Sequence, residues 1–305
     1  MKRENEPRLF GIFGYPLSHT LSPAMQEAAF SRLGLKAFYL AFEFNPSEFT
    51  RALRGLGHFL LDGFNVTVPY KEKVIPFLDR LSPEAKAVGA VNTVYREGRK
   101  WVGTNTDIYG FLTALRRAGF NPKNKKVLML GAGGAARAAV YGLASQGASE
   151  IRIANRRPER ARKTARDFQI FFPKAAFTIL PLSDERLKNS LKEMDLVVNA
   201  TSVGLAPGDP VLVSKGLIPK ATRRKRILFF DLIYSRRTSF LKAARSRGHK
   251  TLGGLTMLLY QGANALELWT GRKAPVDVMR RTLIQSLKAE GNSIGTEKFK
   301  KWTRR

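Results

Sequence analysis

The chain has 305 residues, 44% of them hydrophobic, which is room for two domains with full cores and too apolar for a disordered chain. It has no cysteine, which excludes disulfides and thiolate chemistry, and its three scattered histidines (His19, His58, His249) argue against a histidine-built metal site. The formal charge is +29, with basic clusters at 156–166, 220–226 and 298–305; the first two contain no aromatic residue and no nucleic-acid-binding motif is present, so the charge reads as solvated surface rather than a nucleic-acid groove.

In chain order, the opening MKRENEPR lacks the apolar stretch of a signal peptide, so a cytoplasmic protein with no membrane partner is expected. Residues 9–13 read as a strand and 23–33 as a helix that starts on a proline. Residues 38–44 are strand-like, 46–56 helical, 64–68 a strand ending at Pro69, and 83–88 the start of another helix. Residues 91–95 and 101–103 flank a Glu97-Gly98 turn as a hairpin. A helix over 107–118 ends before Gly119 and the Asn121-Pro122 break. Strand–helix alternation implies an α/β fold with a mostly parallel sheet.

Residues 125–157 form the most informative stretch. Val127 to Leu130 is an apolar run of strand length, and Gly131, Gly133 and Ala136 follow in the G-x-G-x-x-G/A pattern. The first glycine makes the tight turn, the second lets backbone approach a pyrophosphate, and the third small residue packs helix on strand. A helix over 135–145 then points its free N–H groups at the phosphates. The next strand, 150–154, ends at Asn155-Arg156-Arg157. An NAD site usually places a carboxylate there; an amide and two guanidiniums suit a 2′-phosphate, so the cofactor read from the residues is NADP. Further strands are predicted at 196–199 and 227–231, and amphipathic helices at 255–270 and 275–290, with the last ten residues frayed.

Five other stretches carry polar groups in loops or at element ends. Gly14 to Pro23 sets hydroxyls at Ser18, Thr20 and Ser22, which serve a ligand or simply cap the helix. Asn65-Val66-Thr67-Val68-Pro69-Tyr70-Lys71 alternates polar residues along a strand and places a lysine beyond its end, where open α/β sheets bind ligands; alone it also reads as an edge strand with a surface lysine. Asn92-Thr93 and Gly103-Thr104-Asn105-Thr106-Asp107 add an amide, hydroxyls and a carboxylate, the last at a helix mouth where capping is equally natural. Gln261, on a mostly apolar helix, is a satisfied core amide or a ligand contact.

In order, GYPLSHTLSP, NVTVPYK, GAVNTV, GTNTD, GAGGAARAA, ANRR, VNATSVG, DLIY and GGLTMLLYQGA resemble the shikimate dehydrogenase family, including its quinate/shikimate branch, from Phe10 to about Leu287. The resemblance implies a substrate-binding α/β domain over 1–106 and 255–305, the C-terminal helices returning to it, and a Rossmann-like NADP domain over 107–254. It implies NADPH reduction of 3-dehydroshikimate to shikimate, with Lys71 and Asp107 as the catalytic pair. Thr20 and Ser22 match the positions for the substrate carboxylate; Thr67, Asn92 and Gln261 match those for ring hydroxyls, and Tyr234 a further substrate contact. Gly131, Ala132, Gly133, Gly134 and Ala135 match the pyrophosphate turn, Asn155 and Arg156 the 2′-phosphate site, and Leu232 and Gly254 the nicotinamide contacts.

Three positions depart from the family pattern. Thr20 stands where Ser is usual, adding a methyl that bears on shikimate against quinate. Ile108 replaces the usual Gly after the aspartate. Arg157 replaces a usual Thr and adds a cation toward the 2′-phosphate. A quinate/shikimate dehydrogenase using NAD or both cofactors is the alternative reading, and a non-catalytic nucleotide- or nucleic-acid-binding protein on the same fold is the alternative of another class. The expected partner is the small-molecule substrate, and the expected state is a monomer or homodimer.

Overall fold

The computed structural model describes residues 6–58, 60–181, 184–206 and 208–289; the basic last ten residues lie outside them. The chain divides into two compact units. One runs up to Gly110 and resumes at Leu259; the other runs from Phe111 to Leu258.

The first unit holds β1 (Arg8–Gly14), α1 (Ser22–Arg32), β2 (Ala37–Glu43), α2 (Phe49–Arg54), β3 (Gly63–Val66), β4 (Arg80–Leu81), α3 (Pro83–Val88), β5 (Thr93–Glu97) and β6 (Lys100–Thr104), and ends in α4 (Asp107–Arg117), within which the division falls. Its six strands lie in the order β2-β1-β3-β5-β6-β4. β1 runs parallel to both β2 and β3, and β4 parallel to β6. The hairpin predicted around Glu97-Gly98 is present as β5–β6, with Gly98 at φ 62, and β5 also pairs antiparallel with β3. One face of the sheet is sealed by aromatic packing: Phe13 stacks on Phe64 with centroids 4.5 Å apart, and Phe64 meets Trp101 edge-on.

Two predicted elements are shorter than expected. The helix expected over 46–56 is only α2, because Asn45 Oδ1 accepts the backbone N–H groups of Ser47 and Glu48, each at 3.1 Å, and holds 45–48 as an Asx turn. The strand expected over 64–68 stops at Val66. Thr67 still donates its N–H to Phe13 O at 2.8 Å, but Tyr70 N turns back to Thr67 O at 2.9 Å. Residues 67–71 are therefore a turn at the strand's C-terminal end.

The second unit contains β7 (Lys126–Leu130), α5 (Gly134–Ser145), β8 (Glu150–Ala154), α6 (Pro158–Phe171), β9 (Ala176–Leu180), α7 (Asp184–Glu193), β10 (Leu196–Asn199), β11 (Leu228–Asp231), α8 (Ser239–Ser246) and β12 (Lys250–Leu252). Its six strands are all parallel, in the order β12-β11-β10-β7-β8-β9. The buried run Val127 to Leu130 is fully inaccessible, as a central strand covered on both faces requires. α6 occupies much of the stretch read as a basic surface cluster. Its buried residues Ala161, Thr164, Ala165 and Phe168 have i, i+3, i+4, i+7 spacing, so the cations line the outer face of an amphipathic helix.

α9 (Leu255–Thr270) is divided at Leu258/Leu259, and its later turns and α10 (Val276–Ala289) belong to the first unit. There Trp269 stacks on Phe10 at 5.0 Å and donates Nε1–H to Val94 O at 2.9 Å, so a residue from the chain's end completes the core under β1. Gln26 of α1 donates to Gly262 O at 2.9 Å, a second tie between the two chain segments.

Candidate active site

In the first unit the loop after β1 and the turn after β3 leave the C-terminal ends of adjacent parallel strands, since Phe13 registers with Val66. Tyr15 N–H donates to Val68 O at 3.0 Å and joins the two. Leu17 N–H donates to Glu43 Oε2 at 2.6 Å, tying the first loop to β2 as well. Thr20 and Ser22 sit on this first segment. α1 is capped at Leu21 without a side-chain hydrogen bond, so the capping alternative for Ser22 does not hold; the serine is the buried first residue of the helix.

Thr67 and Lys71 sit on the second segment. Tyr70 between them stacks on Phe49 at 3.7 Å and donates its hydroxyl to Phe44 O; burial raises the phenol above its usual range, keeping it a donor. Val91 N–H donates to Lys71 O at 2.7 Å. The lysine's backbone is thus fixed on both sides.

Lys71 Nζ lies 2.6 Å from Asp107 Oδ2, with side chains 13% and 7% exposed. The other carboxylate oxygen accepts Asn92 Nδ2–H at 2.9 Å. Asn92 Oδ1 accepts the Thr106 N–H at 2.7 Å, and its Nδ2 also faces Thr106 Oγ1 at 3.0 Å and Gln261 Oε1 at 3.3 Å. Residues from the turn after β3, the start of β5, the mouth of α4 and α9 therefore meet in one polar cluster. Asp107 heads α4 but spends its carboxylate on Lys71 and Asn92. Of the substrate-side residues predicted from sequence, Lys71, Asn92, Asp107 and Gln261 are in direct contact, Thr67 is on the same turn as Lys71, and Thr20 and Ser22 are on the adjoining loop. Tyr234 belongs to the second unit, three residues past β11.

Sequence reasoning passed over three members of the cluster: Asn65, Thr93 and Thr106. All three fall inside stretches singled out as polar, and the alternation along 65–71 was the available signal for Asn65. Tyr39, which donates to Asn65 Oδ1 at 2.7 Å, reads from sequence as an ordinary strand aromatic.

In the second unit the glycine turn has the geometry a dinucleotide requires. Gly131 has φ 113, and a Cβ there would lie 2.9 Å from Ala200 O, so no other residue fits without strain. Gly133 is the N-cap of α5 and nothing lies within 4 Å of where its Cβ would be, which leaves the helix mouth open to a ligand. Ala136 is fully buried against the sheet. Asn155 Nδ2 donates to Arg157 O at 2.8 Å and shapes the turn after β8, while Arg156 and Arg157 are exposed and make no ion pair among the described residues.

Leu232 and Gly254 are in backbone contact. A Cβ on Gly254 would overlap the Leu232 carbonyl, and Gly254 N–H donates to Ile233 O at 3.1 Å. Beneath them Asp231 is buried; it accepts Thr238 Oγ1–H at 2.6 Å, Asn199 Nδ2–H at 3.0 Å and Ile233 N–H at 3.1 Å. Burial raises its carboxyl above the usual range, partly offset by those donors. Among the described residues no group of acids and histidines could hold a metal, and no helix is long and apolar enough to cross a membrane.

Three family models match successive segments: the shikimate dehydrogenase substrate binding domain over residues 12–94, shikimate/quinate 5-dehydrogenase over 113–238, and the shikimate 5'-dehydrogenase C-terminal domain over 254–284. A protein of Desulforamulus reducens named shikimate dehydrogenase (NADP(+)) is 45% identical over 275 residues, 90% of this chain and 93% of its own. The chain belongs to the shikimate dehydrogenase family. Among solved structures, the shikimate dehydrogenase of Aquifex aeolicus superposes with a TM-score of 0.81 at 41% identity, over 91% of this chain and 97% of that one. A family neighbour named quinate dehydrogenase, from Corynebacterium glutamicum in complex with NAD, has the same TM-score of 0.81 at 29% identity, over 92% of this chain and all of its own. Shikimate dehydrogenases and their quinate-directed relatives thus share this fold.

Proposed function

We propose that this chain is an NADP-dependent shikimate dehydrogenase, reducing 3-dehydroshikimate to shikimate and running the reverse oxidation. The observation that carries the reading is the Lys71–Asp107 pair, 2.6 Å apart, with Asp107 also bonded to the Asn92 amide, which in turn faces Gln261. The first unit takes the substrate and the second the cofactor.

Bound NADPH supplies a hydride for the carbonyl carbon. As the C=O π bond opens, negative charge gathers on oxygen, and the Lys71 ammonium donates a proton to it, keeping the N–H electron pair on nitrogen. In the oxidation the neutral amine takes the proton back. Asp107 holds the lysine head and accepts a hydrogen bond from a substrate hydroxyl. Thr20 and Ser22 donate to the substrate carboxylate, Thr67, Asn92 and Gln261 bond the ring hydroxyls, and Tyr234 adds a further contact. A site of hydroxyls and amides rejects analogues without hydroxyls, because its own polar groups would be left unpaired. For NADP, the turn Gly131–Ala132–Gly133–Gly134–Ala135 holds the pyrophosphate, Asn155, Arg156 and Arg157 the 2′-phosphate, and Leu232 with Gly254 the nicotinamide.

Quinate is a second reading supported by one residue, since the methyl of Thr20 stands at the carboxylate position. A non-catalytic binding protein would have no use for a buried lysine–aspartate pair. Steady-state rates with shikimate and quinate, each with NADP+ and NAD+, decide among these. The expected result is the highest kcat/KM for shikimate with NADP+; a higher value for quinate with NAD+, or no turnover with any pair, overturns the proposal.

A further inference from the structure

Asp107 is reached from the interior of the first unit by a line of buried hydrogen bonds that begins at Tyr39, in the middle of β2. Two backbone groups set the direction of that line. Thr106 N–H, which can only donate, lies 2.7 Å from Asn92 Oδ1, so the other amide atom of Asn92 is its NH2, and that NH2 faces Asp107 Oδ1 at 2.9 Å. Asn92 O, which can only accept, lies 3.0 Å from Asn65 Nδ2, so Asn65 presents its oxygen to Tyr39, 2.7 Å away, and the phenol must donate. The second N–H of Asn65 goes to Thr93 Oγ1 at 3.0 Å. Thr93 Oγ1 in turn donates to Asn92 Oδ1 at 3.2 Å and lies 2.9 Å from Thr106 Oγ1, a pair in which either hydroxyl can donate. Tyr39, Asn65, Thr93, Thr106 and Asn92 are each at most 5% exposed, so no water competes for these bonds.

We infer that Tyr39 is a positioning residue for the Lys71–Asp107 pair, acting through Asn65, Thr93 and Asn92 without touching substrate. With both amides oriented by backbone groups, its phenol proton is the donor that satisfies the buried Asn65 oxygen and holds that amide in place against Asn92 O and Thr93 Oγ1. Through these contacts it steadies Asn92, whose NH2 meets the Asp107 carboxylate. Chains of hydrogen bonds in a low-dielectric interior strengthen one another, so losing the first donor is felt at the last acceptor. The inference rests on the catalytic assignment of Lys71 and Asp107 above.

Tyr39→Phe keeps the ring, which lies 6.0 Å from that of Trp269, and deletes only the donor. Thr93→Val deletes the third link at constant shape. Shikimate oxidation is measured per folded molecule for the parent, both variants and the double variant, with the folded fraction taken from circular dichroism. Each single variant is expected to lose on the order of 5- to 10-fold in kcat with KM for NADP+ unchanged, and the double variant to fall no further than the weaker single one, because the two act in series. Parent-like kcat in Tyr39→Phe, losses that multiply in the double variant, or a KM for NADP+ that rises alongside would each overturn it. A second readout needs no turnover: the side-chain amide resonances of Asn92 in an NMR spectrum move in Tyr39→Phe, and unmoved resonances refute the relay. A parent inactive toward shikimate sinks the functional reading, and the relay is then judged on those resonances.

Discussion

Lys71 has little freedom. Its carbonyl is held by Val91 N–H at 2.7 Å and its head group by Asp107 at 2.6 Å, so backbone and side chain are both held in place. Lys71→Ala removes the donor while leaving the turn's backbone bonds in place. Turnover of shikimate should fall by roughly 100-fold or more with the fold intact, and a variant within a few-fold of the parent would end the catalytic assignment. At the cofactor end, Arg156 is exposed and makes no ion pair among the described residues. Arg156→Ala should raise KM for NADP+ by about ten-fold or more and leave KM for NAD+ nearly unchanged, since only NADP+ offers the 2′-phosphate. Equal effects on both would remove the arginine from that role.

At the scale of elements, the junction of β11 with α9 depends on a residue with no side chain. Gly254→Ala would drive a methyl into the Leu232 carbonyl, which is backbone and has nowhere to yield. A loss of about 2–3 kcal/mol in urea unfolding is expected, and a stability equal to the parent's would show that the junction relaxes freely. The same junction carries a pH dependence. The folded Asp231 carboxyl is raised by burial, so its contribution to stability is complete below the unfolded value of about 3.9 and is lost as pH rises through the folded one. Asp231→Asn cannot ionise. The parent's stability relative to this variant should therefore decline as pH rises from about 4 toward 7, and two parallel pH–stability curves would contradict the shift.

Elements differed in how readily they could be read. β7, α5 and β8 were legible because an apolar run, a glycine turn and a small-residue helix leave one local solution. α6 carries an equally regular apolar spacing, but the arginines and lysines around Ala161, Ala165 and Phe168 masked it. α2 and β3 came out shorter than their patterns suggested, because Asn45 and the Thr67–Tyr70 turn compete locally with helix and strand. At the site, the alternating polar residues of 65–71 pointed to Lys71, whereas Tyr39 carried no mark of its role.

For the molecule as a whole, the charge of +29 is the dominant long-range term. Like charges at that density repel in the compact state, and salt screens them. Raising NaCl from about 20 to about 300 mM should add on the order of 1 kcal/mol of stability, or a few degrees in Tm. A Tm that is flat or falls with salt would mean the cations are already locally compensated. Chain connectivity acts at this scale too. Trp269, near the end of the described chain, stacks on Phe10 near its beginning, so the first unit is complete only when its last helices have returned.

The sequence by itself determined what depends on neighbours a few residues apart or on composition: the glycine turn, the strand–helix alternation, the cations after β8 and the absence of cysteine thiols. Those follow from backbone freedom, periodicity and side-chain type, which act locally. Only the tertiary structure decided that residues 71, 92, 107 and 261 meet, and that a buried tyrosine on β2 donates to the Asn65 amide behind them. Contacts of that kind depend on sheet order and on helices returning across the chain, and hydrogen-bond polarity depends on which donors and acceptors burial leaves with no other partner.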